Sequence, residues 1–185
     1  MSYSPWEMLS ALATVAAVLV ALGVSGHAAW TIRRAEKDRS ELAAAKMLSP
    51  ITALESKAFY LLGWFCLDDE ESASQHMQLL LHIQEFEIMA RSISIDDLYP
   101  LLQLKSHAAK RSARALGLIQ TFATDAGAAL VHPSWGALRV RTHQYKRWAK
   151  MLSEIRDHLT VAVSVCAEAA STGAPRPSPE EIHQP

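Results

Sequence analysis

Residues 8–32 read MLSALATVAAVLVALGVSGHAAWTI and contain no Asp, Glu, Lys or Arg. A transmembrane helix needs about 20 apolar residues, because each residue adds about 1.5 Å and the hydrocarbon layer of a bilayer is roughly 30 Å thick. The stretch is long enough to cross this layer, so it predicts one transmembrane helix over residues 8–32. The rest of the chain has to be interpreted as attached to that helix.

The flanks of this stretch predict its orientation. Tyr3 and Trp6 precede it and Trp30 lies near its end, as aromatic side chains do at membrane–water interfaces. No Lys or Arg precedes the stretch, whereas four basic residues follow it closely: Arg33, Arg34, Lys37 and Arg39. The positive-inside rule therefore places residues 1–7 in a short extracytoplasmic segment and the long C-terminal part in the cytoplasm.

Two other interpretations of this stretch fit less well. A cleaved signal peptide carries its basic residues before a shorter apolar core, whereas here the basic residues follow a longer one. The core helix of a soluble protein is usually shorter and more often interrupted by charge.

Small residues recur at every fourth position of the stretch and share one helix face: Ala13, Ala17, Ala21 and Ser25. Small side chains at this spacing allow two membrane helices to approach closely. The pattern predicts a packing face between spans. The alternative is that it only reflects the abundance of alanine in this stretch.

The remainder of the chain predicts an all-α fold. Residues 33–50 are rich in helix-forming residues of alternating charge and predict a juxtamembrane stalk, which Ser49-Pro50 should break or kink. Residues 51–170 predict a cytoplasmic antiparallel bundle of about four helices, at roughly 51–67, 72–91, 95–130 and 135–170. Residues 171–185 contain four prolines and predict a disordered tail.

Apolar spacing predicts which helix faces enter the core. The helix at 72–91 has one stripe of Met77, Leu80, Leu81 and Ile88, and beside it a second of Leu79, Ile83, Phe86 and Ala90. An apolar face this broad predicts packing on two sides. The last helix follows a heptad pattern in which one position of ten is charged, which is typical of a long bundle helix and compatible with a coiled coil: Leu138, Arg141, Tyr145, Trp148, Leu152, Ile155, Leu159, Ala162, Cys166 and Ala169.

Two polar clusters predict helix starts. The acidic residues 68–71 precede the helix at 72–91, where they would offset the positive end of its dipole. Ser94 and Asp97 have the spacing of a capping box, which predicts that the next helix begins at about Ile95.

The two cysteines, Cys66 and Cys166, form no CxxC motif. In a reducing cytoplasm we expect both to be free thiols in the core. If the chain were exported, they could form a disulfide.

Catalytic and metal-binding motifs do not emerge from the sequence. His82 and Glu85 share a helix face, but their order is the reverse of the Glu-x-x-His motif of di-iron bundles, and Glu154 and His158 lack the HExxH pattern. The chain has no P-loop, GxGxxG or GxSxG motif. Nothing in the sequence indicates an enzyme, so we expect no catalytic residue, metal or cofactor.

Charge is strongly segregated although the formal net charge is only −1. Residues 68–97 carry eight acidic side chains and one basic one, whereas residues 105–150 carry nine basic side chains and one acidic one, Asp125. Such asymmetry indicates either a partner-binding surface or pairing inside the fold. A possible face for an anionic partner is formed by Lys110, Arg111, Arg114, Arg139, Lys146, Arg147 and Lys150.

Three interpretations of this basic face remain open. It could pair with the acidic helix at 72–91, which the near-zero net charge slightly favours. It could dock on anionic lipid of the inner leaflet. It could also bind nucleic acid, with Tyr145 and Trp148 stacking on bases, although the membrane anchor and the neutral overall charge disfavour this interpretation.

The layout of one span, a basic flank and a small helical domain resembles that of many bacterial inner-membrane proteins. We therefore expect a single-pass, membrane-anchored interaction module at the cytoplasmic face of the inner (plasma) membrane, which binds a protein partner or forms a homo-oligomer. The alternative is an accessory factor that engages anionic lipid or, less favoured, nucleic acid through residues 105–150.

The predicted topology can be tested by proteolysis of intact cells. A protease added from outside should leave residues 33–185 uncut, because the positive-inside rule places them in the cytoplasm. Immunoblotting of the C-terminal part measures the outcome, with permeabilised cells as the control in which cleavage must occur. Digestion of residues 33–185 in intact cells would contradict the predicted topology.

Overall fold

In a computed structural model, the structure describes residues 5–67, 73–136, 138–174 and 176–182, and these residues are almost entirely helical, with no strand among them. The α-helices are α1 (Pro5–Leu67), α2 (Ala73–Arg91), α3 (Ile95–Leu98), α4 (Ala108–Leu130), α5 (Leu138–Gly173) and α6 (Pro179–Ile182). Short 3₁₀ turns occupy Tyr99–Gln103, Lys105–His107 and Pro133–Gly136. The predicted all-α fold is confirmed, and the acidic residues 68–71 lie outside the described residues.

The chain divides into two compact units, residues 1–38 and residues 39–185. In the first unit, α1 is long and apolar enough to cross a membrane, and none of this apolar stretch is buried. A core helix of a soluble protein would be mostly buried. A signal sequence near an N-terminus, by contrast, has the same length and apolar composition as a membrane span. Trp30, which we predicted at an interface, lies 5.7 Å from the guanidinium of Arg34 in a cation–π contact.

The second unit is an antiparallel four-helix bundle built from α1, α2, α4 and α5. Contacts between α4 and α5 join Arg114 to Glu154 and Asp125 to Arg147, so residue numbers rise on one helix as they fall on the other. The same opposition relates α1 to α5, where Glu55 contacts Thr160 and the Phe65 ring lies beside Tyr145. Helices of this length and direction pack with short connections around one core.

Aromatic side chains fill the end of the bundle at which α5 begins. Trp148 and Phe122 are fully buried, and the Trp148 ring lies 5.4 Å from Phe65 and 6.2 Å from Phe122. Trp135, from the turn before α5, stacks on Trp148 at 5.5 Å. Each such pair contributes about 0.5–1.5 kcal/mol beyond the burial of its area, so this cluster ties α1, α4, α5 and the preceding turn together.

The sequence predicts a break or a kink at Ser49-Pro50. The break is wrong, because α1 continues through Pro50, and the kink stays a prediction. Proline removes one backbone donor and disturbs the preceding turn. The flanking residues Met47 and Ile51 are both buried in the core, and we attribute the continuity of the helix to this packing. Burial begins at Ser40 and includes Ala44 and Met47, so one face of the second half of the stalk expected at 33–50 lies in the core.

The predicted continuous helix over residues 95–130 is also wrong. The Ser94–Asp97 capping box starts α3 as predicted, but Leu104 is extended and both Ser106 and His107 have a φ of 56°. Such left-handed conformations cost non-glycine residues roughly 1–2 kcal/mol each. Contacts with α4 offset part of this cost, because Arg111 Nε donates a hydrogen bond to the Ser106 carbonyl oxygen at 2.9 Å.

Asp97 also connects its cap to α1. The Lys46 ammonium lies 2.9 Å from the Asp97 carboxylate. Hydrogen bonds from Lys46 and Ser94 lower the pKa of Asp97 to about 2. The first residues of α3 are therefore joined both to their own cap and to a neighbouring helix.

The two apolar stripes predicted on α2 have different outcomes. The second stripe forms the core face, with Leu79, Ile83, Phe86 and Ala90 buried. Most of the first stripe points to solvent: Met77, Leu81 and Ile88 are exposed and Leu80 is half-buried. The predicted packing of the first stripe is thus wrong within this chain, since Phe86 packs on Phe122 of α4 and orients the opposite face outward.

The heptad prediction for α5 is confirmed in its central part. Trp148, Leu152, Ile155, Leu159, Ala162 and Cys166 are buried, and Arg141, Tyr145 and Ala169 are half-buried. The side chain of Leu138 lies outside the described residues. The tail begins later than predicted, because Ser171, Thr172 and Gly173 complete the last turn of α5 and residues 179–182 form the short helix α6.

The cysteines occupy different environments. Both are free thiols, but Cys166 is buried and Cys66 is exposed. Burial raises the pKa of Cys166 to about 11. The expectation of a core thiol is right for Cys166 and wrong for Cys66.

The α5 core can be tested by truncating its buried leucines. Leu152 and Leu159 are fully buried, so Leu152→Ala and Leu159→Ala should each lower the free energy of unfolding by about 2–5 kcal/mol. Lys150→Ala, on the exposed face of the same helix, should change it by no more than about 0.5 kcal/mol. Denaturant unfolding measures all three, and equal losses at all three positions would contradict the observed register.

Candidate interaction surfaces

A row of basic side chains runs along the outer face of α5. Its members, called here the α5 basic stripe, are Arg139, His143, Lys146 and Lys150. They are spaced by four, three and four residues, which places them on one helix face, and all four are exposed. Arg139, Thr142, His143 and Lys146 line an open groove of about 480 Å³. Thr142 is a lining residue that charge patterning alone could not identify.

Three other basic residues of the predicted face have partners inside the bundle, and Arg111 is the first of them, with Nε donating to the Ser106 carbonyl oxygen at 2.9 Å. Arg114 pairs with Glu154 at 3.1 Å, and Arg147 pairs with Asp125 at 2.5 Å. Lys110 is exposed on α4. The predicted anionic-partner face therefore consists of two groups. Some of its residues form contacts within the bundle, and the others are exposed to solvent.

The predicted pairing with the acidic helix α2 is wrong for Arg114 and Arg147. The partners of Arg114 and Arg147 lie on α5 and α4, because these helices are antiparallel neighbours. On α2, Glu85 pairs with Lys57 of α1 and Glu87 pairs with Arg91 of the same helix. Among the described residues, no ion-pair partner is found for any member of the α5 basic stripe.

The aromatic residues predicted beside the basic stripe point inward. Trp148 is fully buried and Tyr145 is half-buried, and both belong to the aromatic cluster at this end of the bundle. Their rings are therefore not presented for stacking on bases. This leaves the stripe as a surface of cationic groups without an aromatic platform.

A second surface, called here the α2 outer stripe, consists of Met77, Leu81 and Ile88. Their exposed fractions are 59%, 56% and 68%, which is unusually high for three large apolar side chains aligned on one helix face. Gln84 lies on the same face and is exposed. The α2 outer stripe is thus a narrow apolar surface whose central polar residue is uncharged.

The boundary between α1 and α2 contains a polar cluster. The Lys57 ammonium donates hydrogen bonds to the Glu85 carboxylate and to His82 Nδ1, the latter at 3.1 Å. His82 Nε2 lies 3.2 Å from Tyr60 Oη, and the Trp64 ring lies 6.1 Å from the imidazole ring. The hydrogen bond from Lys57 holds the pKa of Glu85 below its usual value.

Of the residues in this cluster, sequence patterns could have suggested only the two on α2. The His82 and Glu85 spacing placed both on one face of α2, but Lys57 and Tyr60 come from another helix and have no motif. Lys57 is the one charged residue between Ser56 and Leu67, which is the only signal that marked it.

The histidine–acid pairs considered in the sequence have protein partners. His82 and Glu85 share Lys57, and Glu154 contacts both Arg114 and His158. Within the described ranges, no group of three or more His, Cys, Asp or Glu residues could hold a metal ion.

The small residues of the predicted transmembrane packing face are exposed in the first unit. Ala13, Ala17, Ala21 and Ser25 all lie on α1. Their spacing leaves a shallow face along the helix, and its role in packing between spans stays a prediction.

Comparison of this chain with protein-family models, with curated proteins and with solved structures finds no match. The functional argument therefore rests on the surfaces described above.

Proposed function

We propose that this chain is a membrane-tethered four-helix module that binds a second copy of itself through the α2 outer stripe. The observation that carries the proposal is that α2 has two apolar faces and the bundle covers only one of them. Single exposed apolar residues are normal on protein surfaces, whereas aligned ones mark contact sites. A helix from another chain fits such a stripe.

A second copy is favoured over a different protein because the surface is compatible with itself. Met77, Leu81 and Ile88 carry no charge, and the intervening Gln84 can hydrogen-bond to its own counterpart. A two-fold contact places the same patch of both chains together. In such a contact the two stripes would face each other without bringing like charges together, because the stripe carries no charge.

The stripe alone is too small for tight association in solution. Burying a Leu, Ile or Met side chain stabilises by about 1.5–3 kcal/mol, whereas association costs an estimated 4–15 kcal/mol in lost freedom. A tether changes this balance, because a second contact on the same chain raises the effective concentration of the first. The face formed by Ala13, Ala17, Ala21 and Ser25 would supply that contact between spans.

The proposal places the chain in the inner (plasma) membrane as a single-pass protein. Its support is the exposed apolar window of α1 together with the basic residues that follow it. The positive-inside rule then assigns the N-terminus to the outside and the bundle to the cytoplasm.

Self-association can be tested by cysteine cross-linking in membranes. In a Cys66→Ser background, Gln84→Cys should give a disulfide-linked dimer on oxidation, because the contact brings the two copies of this position together. Adding Leu81→Gln and Ile88→Gln should reduce the linked fraction strongly. Non-reducing electrophoresis measures it.

Two matched controls accompany this experiment. Lys150→Cys, exposed on α5, should not cross-link, and Ile95→Gln, which replaces an apolar residue that is 70% exposed elsewhere, should leave the Gln84→Cys dimer intact. Absence of a Gln84→Cys dimer, or equal cross-linking with and without the stripe substitutions, would contradict the proposal.

A second candidate function is the binding of a phosphate-bearing polyanion by the α5 basic stripe. It is favoured by the absence, among the described residues, of acidic partners for Arg139, His143, Lys146 and Lys150. Each basic residue near an anionic lipid surface contributes about 1 kcal/mol. The inward position of Trp148 and Tyr145 favours contact with phosphates over base stacking.

This candidate predicts a charge-dependent binding that leaves the fold intact. The chain in neutral nanodiscs should bind anionic vesicles, release them at high salt, and lose binding in the triple variant Arg139→Glu, Lys146→Glu, Lys150→Glu with little change in melting temperature. Co-sedimentation measures binding, Lys110→Glu is the control, and a single-stranded oligonucleotide is the second probe. Failure to bind either probe, or unchanged binding by the triple variant, would exclude the candidate.

A further inference from the structure

The end of the bundle at which the second unit begins carries exposed apolar side chains of its own. We propose that this end docks on the phospholipid bilayer to which the chain is tethered, through a surface called here the α3 patch: Ile95, Tyr99 and Leu102. The inference rests on the membrane tether of the proposed function. It does not rest on self-association, because the α3 patch and the α2 outer stripe share no residue.

The three side chains of the α3 patch share one face of a short helical segment. Residues 95–103 are helical throughout, as α3 followed by a 3₁₀ turn, and the patch residues are spaced by four and three positions. The opposite side of the segment faces the core, because Leu98 and Leu101 are buried. In chain order the patch side chains are 70%, 68% and 49% exposed. Three large apolar side chains aligned outward in this way mark a contact site.

Ion pairs within the second unit place the α3 patch at one end of the bundle. Asp97, in the same segment, pairs at 2.9 Å with Lys46, close to the start of the second unit. Lys105, which follows the segment, pairs with Glu168 in the last two turns of α5. The patch therefore lies where α1 enters this unit and where α5 ends. The aromatic cluster around Trp148 lies at the opposite end, where α5 begins.

The chain between the proposed span and the bundle is short. The second unit begins at Arg39, seven residues after Ile32, the last residue of the span. Seven residues reach at most about 25 Å when fully extended, whereas α5, with 36 residues, is about 54 Å long. A tether this short raises the effective concentration of the bilayer at the end of the bundle to which it is attached. That end carries the α3 patch.

The residue types of the patch fit the boundary between lipid headgroups and acyl chains. Tyrosine is enriched at this boundary because its ring is apolar and its hydroxyl is polar. Charge contributes little, because the two ion pairs at this end are internal and the further exposed charge of the segment, Asp96, is acidic. The docking is therefore apolar, and it should occur on neutral phospholipid and be insensitive to salt. Salt dependence thus separates it from binding by the α5 basic stripe.

Quenching of a fluorophore by lipid tests this docking. The full chain, in a Cys66→Ser background, is inserted in nanodiscs of neutral phosphatidylcholine that carries a doxyl quencher high on its acyl chain, and Leu102→Cys is labelled. Cys166 is buried and should not react. The label should be quenched several-fold more than one at Val131→Cys, which is 72% exposed at the opposite end of the bundle. High salt should leave the quenching unchanged, and equal quenching at the two positions would overturn the proposal.

Further substitutions separate the patch from the proximity that the tether alone provides. Ile95→Ser together with Tyr99→Ser should lower the quenching of the Leu102→Cys label several-fold, and the melting temperature should change little because both side chains are exposed. Leu81→Gln with Ile88→Gln removes the same number of apolar side chains from the α2 outer stripe and should leave the quenching intact. Quenching that persists without the patch side chains, or that disappears with those of the stripe, would contradict the docking.

A label at Leu22→Cys, inside the proposed span, shows whether the chain is inserted. Quenching at Leu22→Cys but not at Leu102→Cys would overturn the docking and leave the tether in place. Quenching at neither position would refute the tether and the docking with it. A Leu102→Cys label that is shielded from aqueous iodide but not quenched by lipid would indicate a protein contact at the patch, which also overturns the proposal. Failure of the Gln84→Cys dimer would refute self-association alone, because the lipid quenching does not depend on it.

Discussion

The packing of the bundle depends on the environment of Trp148. This side chain is fully buried on α5 and touches Phe65 of α1 and Phe122 of α4. A buried indole needs an acceptor for its N–H, and Trp148 Nε1 donates to the Asp125 carboxylate at 2.6 Å. This hydrogen bond joins α5 to α4, and the ring contact with Phe65 joins the same side chain to α1.

The acceptor of this hydrogen bond, Asp125, also pairs with a basic side chain of α5. Asp125 is the one acidic residue between 105 and 150, and it is shared by Trp148 and Arg147. Arg114 is matched with Glu154 by the register of the two helices. The α5 basic stripe lies on the outer face of α5, on the side of the helix away from the buried Trp148, Leu152 and Ile155.

The sequence predicted the elements whose pattern had a single interpretation. The heptad of α5 placed Leu152 and Leu159 in the core because one continuous face was apolar, and Ser94 with Asp97 marked a helix start because their spacing fits a capping box. For α2 the pattern was ambiguous. Two apolar stripes lay side by side, and only the fit of Phe86 against Phe122 determined which one was buried.

The other errors arise where distant contacts override local preference. Pro50 stays helical between buried neighbours. Ser106 and His107 adopt left-handed conformations that their residue types disfavour, beside the hydrogen bond from Arg111. The sequence could not predict the ion-pair partners either. Asp125 and Glu154 become neighbours of Arg147 and Arg114 only when α4 and α5 pack together. Charge counts could reveal the segregation of charge but not its partners.

These contacts give α2 a special position among the four helices. Its inner face is held by apolar packing, and its side toward α1 by the polar cluster at His82. Its outer face carries Met77, Leu81 and Ile88, which are exposed and which no element covers in the part of the chain that the structure describes. The apolar contact of Phe86 with Phe122 and the polar contacts of Lys57 with His82 and Glu85 differ in chemistry, but both join α2 to its neighbours in the bundle. Together they fix two sides of α2 and therefore also the direction in which its third side faces. The uncovered apolar face is thus held in place by the contacts on the other two sides, which is what a contact surface for a second helix requires.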